Sequence, residues 1–320
     1  MLPSVNPDGG HYSFYDFGFQ RKNMTNYCGP DDRNDLNSRN NFGVDINRNY
    51  AVGSLFDGYF GASDSCTGTT FAGPAELSEP ESSNVVWVAD TFPNIKFSMN
   101  IHSSGNYFMW SPAAYIVPGR ISLPRPSFGT EEFFYAASER ILQAIRDYRG
   151  LVVTPARTGP VIDVLYSAAG NSGDQLYYGS NIYAWDFEVG TSFQPNWDEA
   201  YAESQEFSNG LIEMAQLALD LDRDSTPPVA YLTDAEDVRI DRKPFYGEAN
   251  LKFATSEPAT VYYTLDHSNP TTDSLVYNSS GIREPGEVLH FNEITTVRWI
   301  AVDAAENQSR IYTQTVVVLR

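Results

Sequence analysis

Asp222-Arg223-Asp224-Ser225-Thr226-Pro227-Pro228 divides the chain into two patterns. A polar run closing on two prolines cannot continue a helix or join a sheet interior, so it reads as a linker. Upstream of it, helical and strand signals alternate. Phe97–His102 reads as a buried strand, and so does the apolar, aromatic run Asn181–Val189. Leu151–Thr154 reads as a short strand. Glu131–Tyr148 carries Phe134, Ala137, Ile141, Ala144 and Ile145 at helical spacing, and Ala200–Leu221 is a long amphipathic helix. A shorter helix runs to Val88, with Ser78 as N-cap and Glu81 three residues on, as in a capping box. Met1–Val5 reads as a strand entering the turn Asn6-Pro7-Asp8-Gly9. Helices alternating with buried strands predict an α/β layer architecture for residues 1–223. Downstream the period becomes two, in Ala259–Leu265, Val297–Val302 and Tyr312–Val318, with turn signals at Asp266–Pro270, Asn278–Gly281 and Asp303–Asn307. That spacing predicts a β-sandwich of about seven strands over residues 224–320.

Composition excludes several classes of function. The chain has 320 residues with 21 basic against 41 acidic side chains, a net charge of −20. A phosphate backbone or an anionic membrane is repelled by such a surface, which argues against nucleic acid and lipid partners. The longest apolar runs, such as Val316–Leu319, are too short to cross a bilayer. The two cysteines, Cys28 and Cys66, lie in Gly-, Asn- and Ser-rich stretches. They fit a disulfide in an oxidising compartment, the alternative being two separate thiols. Met1 is not followed by a basic segment and an apolar stretch, so no signal peptide is expected in this sequence.

Of the four histidines, His102 stands at a strand end, where ligand sites form in α/β sheets. A structural role is the bland alternative. Glu188 closes the other apolar strand. An acid there is costly to bury, and burial would raise its pKa toward the range of a general base. The alternative is a Glu emerging at the surface. Asn47-Arg48-Asn49 offers a planar guanidinium beside amide donors, suited to gripping a carboxylate, or else a solvated turn.

Six segments, in order, resemble the zinc carboxypeptidases of the carboxypeptidase A and carboxypeptidase T type: Asn6-Pro7-Asp8-Gly9; Arg21-Lys22-Asn23; Gly43-Val44-Asp45-Ile46-Asn47-Arg48-Asn49; Phe71-Ala72-Gly73-Pro74 with Ser78-Glu79-Pro80-Glu81; Ile101-His102-Ser103; and Tyr166 with Gly170, Ser172 and Asp174, followed by Phe187-Glu188. The resemblance implies a three-layer α/β/α fold with a mixed sheet, incomplete at its start. It implies Zn2+ as cofactor with His102 as a ligand, and Glu188 as general base on a zinc-bound water. Arg21 would stabilise the oxyanion, Asn47 and Arg48 would hold the terminal carboxylate, and Tyr166 would close over the substrate. Zinc lowers the pKa of bound water, and charge that appears only in the transition state is what Arg21 would meet.

The family takes its first two zinc ligands from an H-x-x-E motif upstream of Asn6. This sequence holds none there, so the expectation is a chain that lacks those ligands and is inert as it stands. His290-Phe291-Asn292-Glu293 has the spacing but sits where strand alternation points the two side chains apart. Ser104 and Gln175 replace residues common in the family. Positions that carry an acid in Lys- or Arg-preferring members correspond to Gly173 and to Ala113 or Ala114, so a neutral or apolar C-terminal residue is expected. The tail, in Thr255–Asp266, Asn269-Pro270-Thr271 and Ala301–Asn307, resembles the immunoglobulin-like module named after the chitobiase C-terminus. The resemblance implies a secreted monomer acting on peptide or protein C-termini. Two alternatives are an inactive binder of peptide C-termini and a protein that binds cell-wall peptides.

Overall fold

The computed structural model describes residues 2–29, 35, 39–150, 153–240, 244–278 and 286–320. The chain falls into two compact units, Met1–Arg125 with Gly150–Gln205, and Pro126–Arg149 with Glu206–Arg320.

The first unit is built on a mixed sheet. Strands β1 (Phe97–His102), β2 (Tyr107–Trp110), β5 (Thr158–Pro160) and β6 (Tyr183–Glu188) lie in the order β1-β6-β2-β5. β1 runs parallel to β6, β2 antiparallel to β6 and β5 parallel to β2. Strands β3 (Tyr115–Ile116) and β4 (Ile121–Ser122) form a separate pair, and the single helical turn α4 (Val161–Val164) follows β5. Period-two alternation sorts β6 into two faces. Trp185 and Phe187 pack with Phe97 and Phe108, with ring centroids 5.7 Å apart for Phe97–Trp185 and 5.2 Å for Phe108–Phe187. Ala184, Asp186 and Glu188 share the opposite face. There Ala184 packs with Leu176, Ile182 and Ala89, from α5 (Ser172–Ser180), its exit and α2 (Pro80–Thr91). Cys28 and Cys66 are bonded, closing a loop of sequence separation 38.

Several local expectations are revised. Asn6-Pro7-Asp8-Gly9 is not a turn after a strand. It opens helix α1 (Pro7–Tyr15), with the Asn6 side chain accepting from Gly9 N. Pro at the first helical position and Asn before it serve a helix start as well as a turn, and here the helix wins. Ser78 is not the N-cap of α2. Glu79 holds that position without a side-chain cap bond, because its carboxylate is taken by Asn23, Thr25, Tyr27 and Ser78. Of the strand expected at Leu151–Thr154, the first two residues lie outside those described, and Val153–Thr154 is irregular. The strand follows at Thr158–Pro160. The turn expected at Asn278–Gly281 lies largely outside the described residues.

The second unit joins helix α3 (Phe128–Arg149) and the later part of α6 (Trp197–Arg223) to an all-β sandwich. Its strands are β7 (Ala230–Thr233), β8 (Phe245–Tyr246), β9 (Ala249–Thr255), β10 (Ala259–Thr264), β11 (Leu275–Val276), β12 (Leu289–Phe291), β13 (Thr295–Asp303), β14 (Tyr312–Val316) and β15 (Val318–Leu319). They form sheets of order β11-β10-β13-β14 and β12-β9-β7, with β15 paired to β8. Phe253, Tyr277 and Trp299 fill the core between them. The start of α3 lies on β10. Ser127 Oγ is 2.6 Å from Thr260 Oγ1, the Phe128 ring is 5.5 Å from that of Tyr277, and a Cβ at Gly129 would fall 1.9 Å from the Ala259 carbonyl oxygen.

Candidate active site

The parallel register pairs His102 with Glu188 and Asn100 with Asp186. All four side chains therefore project from one face at the C-terminal end of the sheet. The segment Asp45–Asn49 supplies the next group. Asp45 is buried; its Oδ1 accepts from Asn47 N, opening a short 3-10 turn, and its Oδ2 takes Arg21 Nε at 2.7 Å. That carboxylate raises the Arg21 pKa, so Arg21 stays a cation. Arg48 lies at 3% exposure, donating from Nε to Gly61 O at 2.9 Å and from Nη1 to Asn47 O at 2.6 Å. Among the described residues no carboxylate comes within 4.0 Å of its guanidinium.

One pocket is lined by all six residues singled out above: Arg21, Asn47, Arg48, His102, Tyr166 and Glu188. Asn171, Asp186, Met109, Val161, Leu165 and Ala168 complete its wall. Tyr166 is 52% exposed and stands at the mouth. Burial, reinforced by the nearby Asp186, raises the Glu188 pKa to about 7, against the pull of Arg21 and Arg48. A carboxylate so poised can take a proton near neutrality. Burial lowers the His102 pKa to about 4, helped by Arg21, so the ring is neutral.

Two polar residues of the wall, Asp186 and Asn171, escaped the motif reading. Asp186 is buried, accepts from Asn100 Nδ2 at 3.1 Å, and is also hydrogen-bonded by Asn171. Burial raises its pKa to about 6. Asn171 caps α5 through Gly173 N. The signal for Asp186 was in the sequence: two residues before Glu188 in a strand is the same face. An acid is thus present in the pocket although Gly173, Ala113 and Ala114 are not acidic. The spacing at His290 and Glu293 has no part in the site; His290 Nδ1 is 2.6 Å from Asn250 Oδ1 in the β unit.

Catalytic zinc takes about three protein ligands. Among the described residues, the one cluster of three His, Cys, Asp or Glu ligand atoms is Asp224, Glu257 and Asp303, which includes neither His102 nor Glu188. His102 itself is engaged. Asn47 Oδ1 accepts from Ser172 N at 2.9 Å, which turns its Nδ2 toward His102 Nε2 at 3.1 Å. Nε2 then accepts, and the ring proton sits on Nδ1. The described residues do not by themselves make a zinc site around His102.

The mixed sheet and a pocket at its strand ends define an α/β protein with a candidate site at the ends of its strands. Comparison with known proteins narrows it. The sequence profile of the family described as zinc carboxypeptidase matches residues 1–207, and that of the chitobiase/beta-hexosaminidase C-terminal domain matches residues 244–313. The chain belongs to the zinc carboxypeptidase family. Among curated relatives, carboxypeptidase O of Bos taurus is 26% identical over 190 residues, covering 59% of this chain and 44% of the relative. Carboxypeptidase A2 of Rattus norvegicus is 28% identical over 189 residues, covering 59% and 40%. The chain thus spans less than half the length of these relatives. Among solved structures, carboxypeptidase A from Helicoverpa armigera superposes with a TM-score of 0.53 at 22% identity, covering 68% of this chain and 50% of that one. Bovine thrombin-activatable fibrinolysis inhibitor gives 0.52 at 23% identity, covering 68% and 67%. These likenesses show the fold.

Proposed function

We propose that this chain carries the substrate-binding and general-base part of a secreted, zinc-dependent carboxypeptidase that hydrolyses the C-terminal peptide bond of peptides and proteins. Residues 1–223 are the catalytic domain in this reading, and residues 224–320 an accessory module. The observation that carries it is Arg48, a buried guanidinium in the pocket wall that, among the described residues, has no carboxylate within 4.0 Å. A buried cation is costly unless an anion meets it, and a C-terminal carboxylate is the anion that a family of exopeptidases binds. Anchoring that carboxylate sets the last peptide bond beside Glu188 and Arg21. Glu188 receives a proton from the attacking water, and Arg21, oriented by Asp45, faces the oxygen on which charge develops. Among the described residues of the pocket His102 is the imidazole that would ligate zinc, and only with further ligands supplied from outside them would a metal add its usual chemistry of polarising a carbonyl and acidifying water. Tyr166 covers the mouth. The disulfide and the chitobiase-type tail support secretion.

One observation favours a second reading. His102 stands alone as an imidazole in the pocket, with its Nε2 on Asn47. A chain with that donor set would bind peptide C-termini, including those of cell-wall peptides, without cutting them. Two measurements separate these readings. A peptide with a free C-terminus should bind this protein, and its C-terminal amide should bind far less. Equal binding refutes both readings. Release of single C-terminal amino acids, followed by mass spectrometry and abolished by Glu188→Gln, selects the enzyme; its absence, with zinc supplied, selects the binder.

A further inference from the structure

The pocket wall holds two opposite charges that, among the described residues, form no ion pair within 4.0 Å of each other. Arg48 offers a guanidinium on one side. Asp186 offers a carboxylate on another, 4% exposed. Among the described residues no Lys, Arg or His nitrogen lies within 4.0 Å of either Asp186 oxygen. Its hydrogen bonds come instead from the neutral amides of Asn100 and Asn171, which fix the carboxylate without cancelling its charge. The amides are themselves held, Asn100 by Ser172 Oγ at 2.6 Å and Asn171 by Gly173 N at 2.6 Å. A Cβ at Gly173 would lie 3.0 Å from Asp186 Oδ2, so glycine there leaves that oxygen room. Met109, Val161 and Leu165 give the same pocket an apolar wall.

We propose that Asp186 makes this pocket selective for a cationic C-terminal residue, lysine or arginine, and that the sequence-based expectation of a neutral or apolar residue is therefore reversed. The inference rests on the reading of Arg48 as the carboxylate anchor. A C-terminal lysine is the guest with matching chemistry: its carboxylate meets Arg48, its methylene stem lies on the apolar wall, and its ammonium reaches Asp186. A buried, hydrogen-bonded carboxylate is a specificity device because a guest lacking the partner charge leaves it desolvated and unpaired. The competing account makes Asp186 a remote counter-ion that keeps Arg48 in place. That account predicts no dependence on the charge of the guest.

The test is calorimetric binding of N-acetyl-L-lysine, N-acetyl-L-norleucine and N-acetyl-L-lysine amide to the 320-residue protein at pH 8. Norleucine keeps the stem and lacks the charge. Lysine should bind about 10- to 100-fold tighter than norleucine, the worth of one charged hydrogen bond. In Asp186→Asn the ratio should collapse toward one. Equal or tighter binding of norleucine by the wild-type protein, with both acids binding better than the amide, overturns this inference and leaves the carboxylate anchor intact. If lysine binds no better than its amide, the anchor itself is lost and the inference with it. Should Asp186→Asn fail to fold, the wild-type ratio of lysine to norleucine decides alone.

Discussion

Glu79 is a buried carboxylate outside the pocket that accepts four side-chain hydrogen bonds, and replacing it with glutamine gives a sharp test of how the site is held. Its side chain is buried at 1% exposure and receives four donors: Asn23 Nδ2 at 2.7 Å and Thr25 Oγ1 at 2.9 Å on Oε2, Tyr27 OH at 2.9 Å and Ser78 Oγ at 2.8 Å on Oε1. Asn23 Oδ1 in turn accepts from Val44 N, so one carboxylate ties the segment bearing Arg21 to the segment bearing Arg48. Bonds to an ionised acceptor are worth about 1.5–3 kcal/mol each, and neutral ones about 1 kcal/mol. In Glu79→Gln all four lose charge assistance, and the amide nitrogen faces two hydroxyls or Asn23 and Thr25. Hydroxyls rotate to accept and a neutral amide is cheaper to bury, which offsets part of the loss. The net destabilisation should be about 3 kcal/mol. With a urea slope near 3 kcal/mol per M, the midpoint should drop by about 1 M. Tryptophan fluorescence reads this unit through buried Trp110 and Trp185. A midpoint within about 0.2 M of wild type would refute the claim that the ionised carboxylate organises these segments.

Further outcomes follow from other sites. Asp174 and Asp186 are both buried, and burial raises their pKa values to about 7 and about 6; the folded state then holds these protons more tightly than the unfolded chain, so stability should fall as pH rises through that range. Unfolding free energies at pH 5 and pH 8 should differ by about 3 kcal/mol on account of Asp174, about 1 M in urea midpoint, and Asp174→Asn should remove that share and leave the smaller one of Asp186. Replacing both Cys28 and Cys66 with serine opens a loop of separation 38 and should cost about 4 kcal/mol in the same melt, with no change in pocket binding. Gly61 has φ +113°, a Cβ there would lie 1.8 Å from Ser167 O, and its carbonyl holds Arg48; Gly61→Ala should weaken binding of N-acetyl-L-norleucine by about tenfold or more, measured on the folded fraction.

How much of this was legible varies with the range of the interaction that decides it. Strand β1 runs over Phe97–His102 with the bounds expected, but the expected burial is not found: it lies at the end of the order β1-β6-β2-β5 and its residues are half-buried or, at Ile101, exposed. Helix α3 extends the expected Glu131–Tyr148 by three residues at its start and one at its end. The tail's period of two gave its strands, because one face of each is buried. Errors arose where two local readings share the same residues. Asn6-Pro7-Asp8-Gly9 suits a turn or a helix start, and Ser78 lost the cap position to a buried network contributed by residues more than fifty positions away. Arg21 and Asp45 are 24 residues apart, and no pattern announces their pairing. Asp186 was missed for a different reason: motif matching looked at Gly173, whereas simple alternation along β6 already set Asp186 on the face of Glu188.

The seating of α3 on β10 bears on how this protein can be dissected. Severing the chain at Pro227-Pro228 looks safe on paper, since that is where helix-bearing sequence gives way to sandwich. Yet Ser127, Phe128 and Gly129 rest on Thr260, Tyr277 and Ala259, so a front fragment would keep a helix stripped of its seat, and an isolated tail would show water an apolar floor. A deletion meant to ask what the tail recognises would therefore also report on the loss of that seat. Point changes on the outward strand edges are the cleaner way to silence the tail.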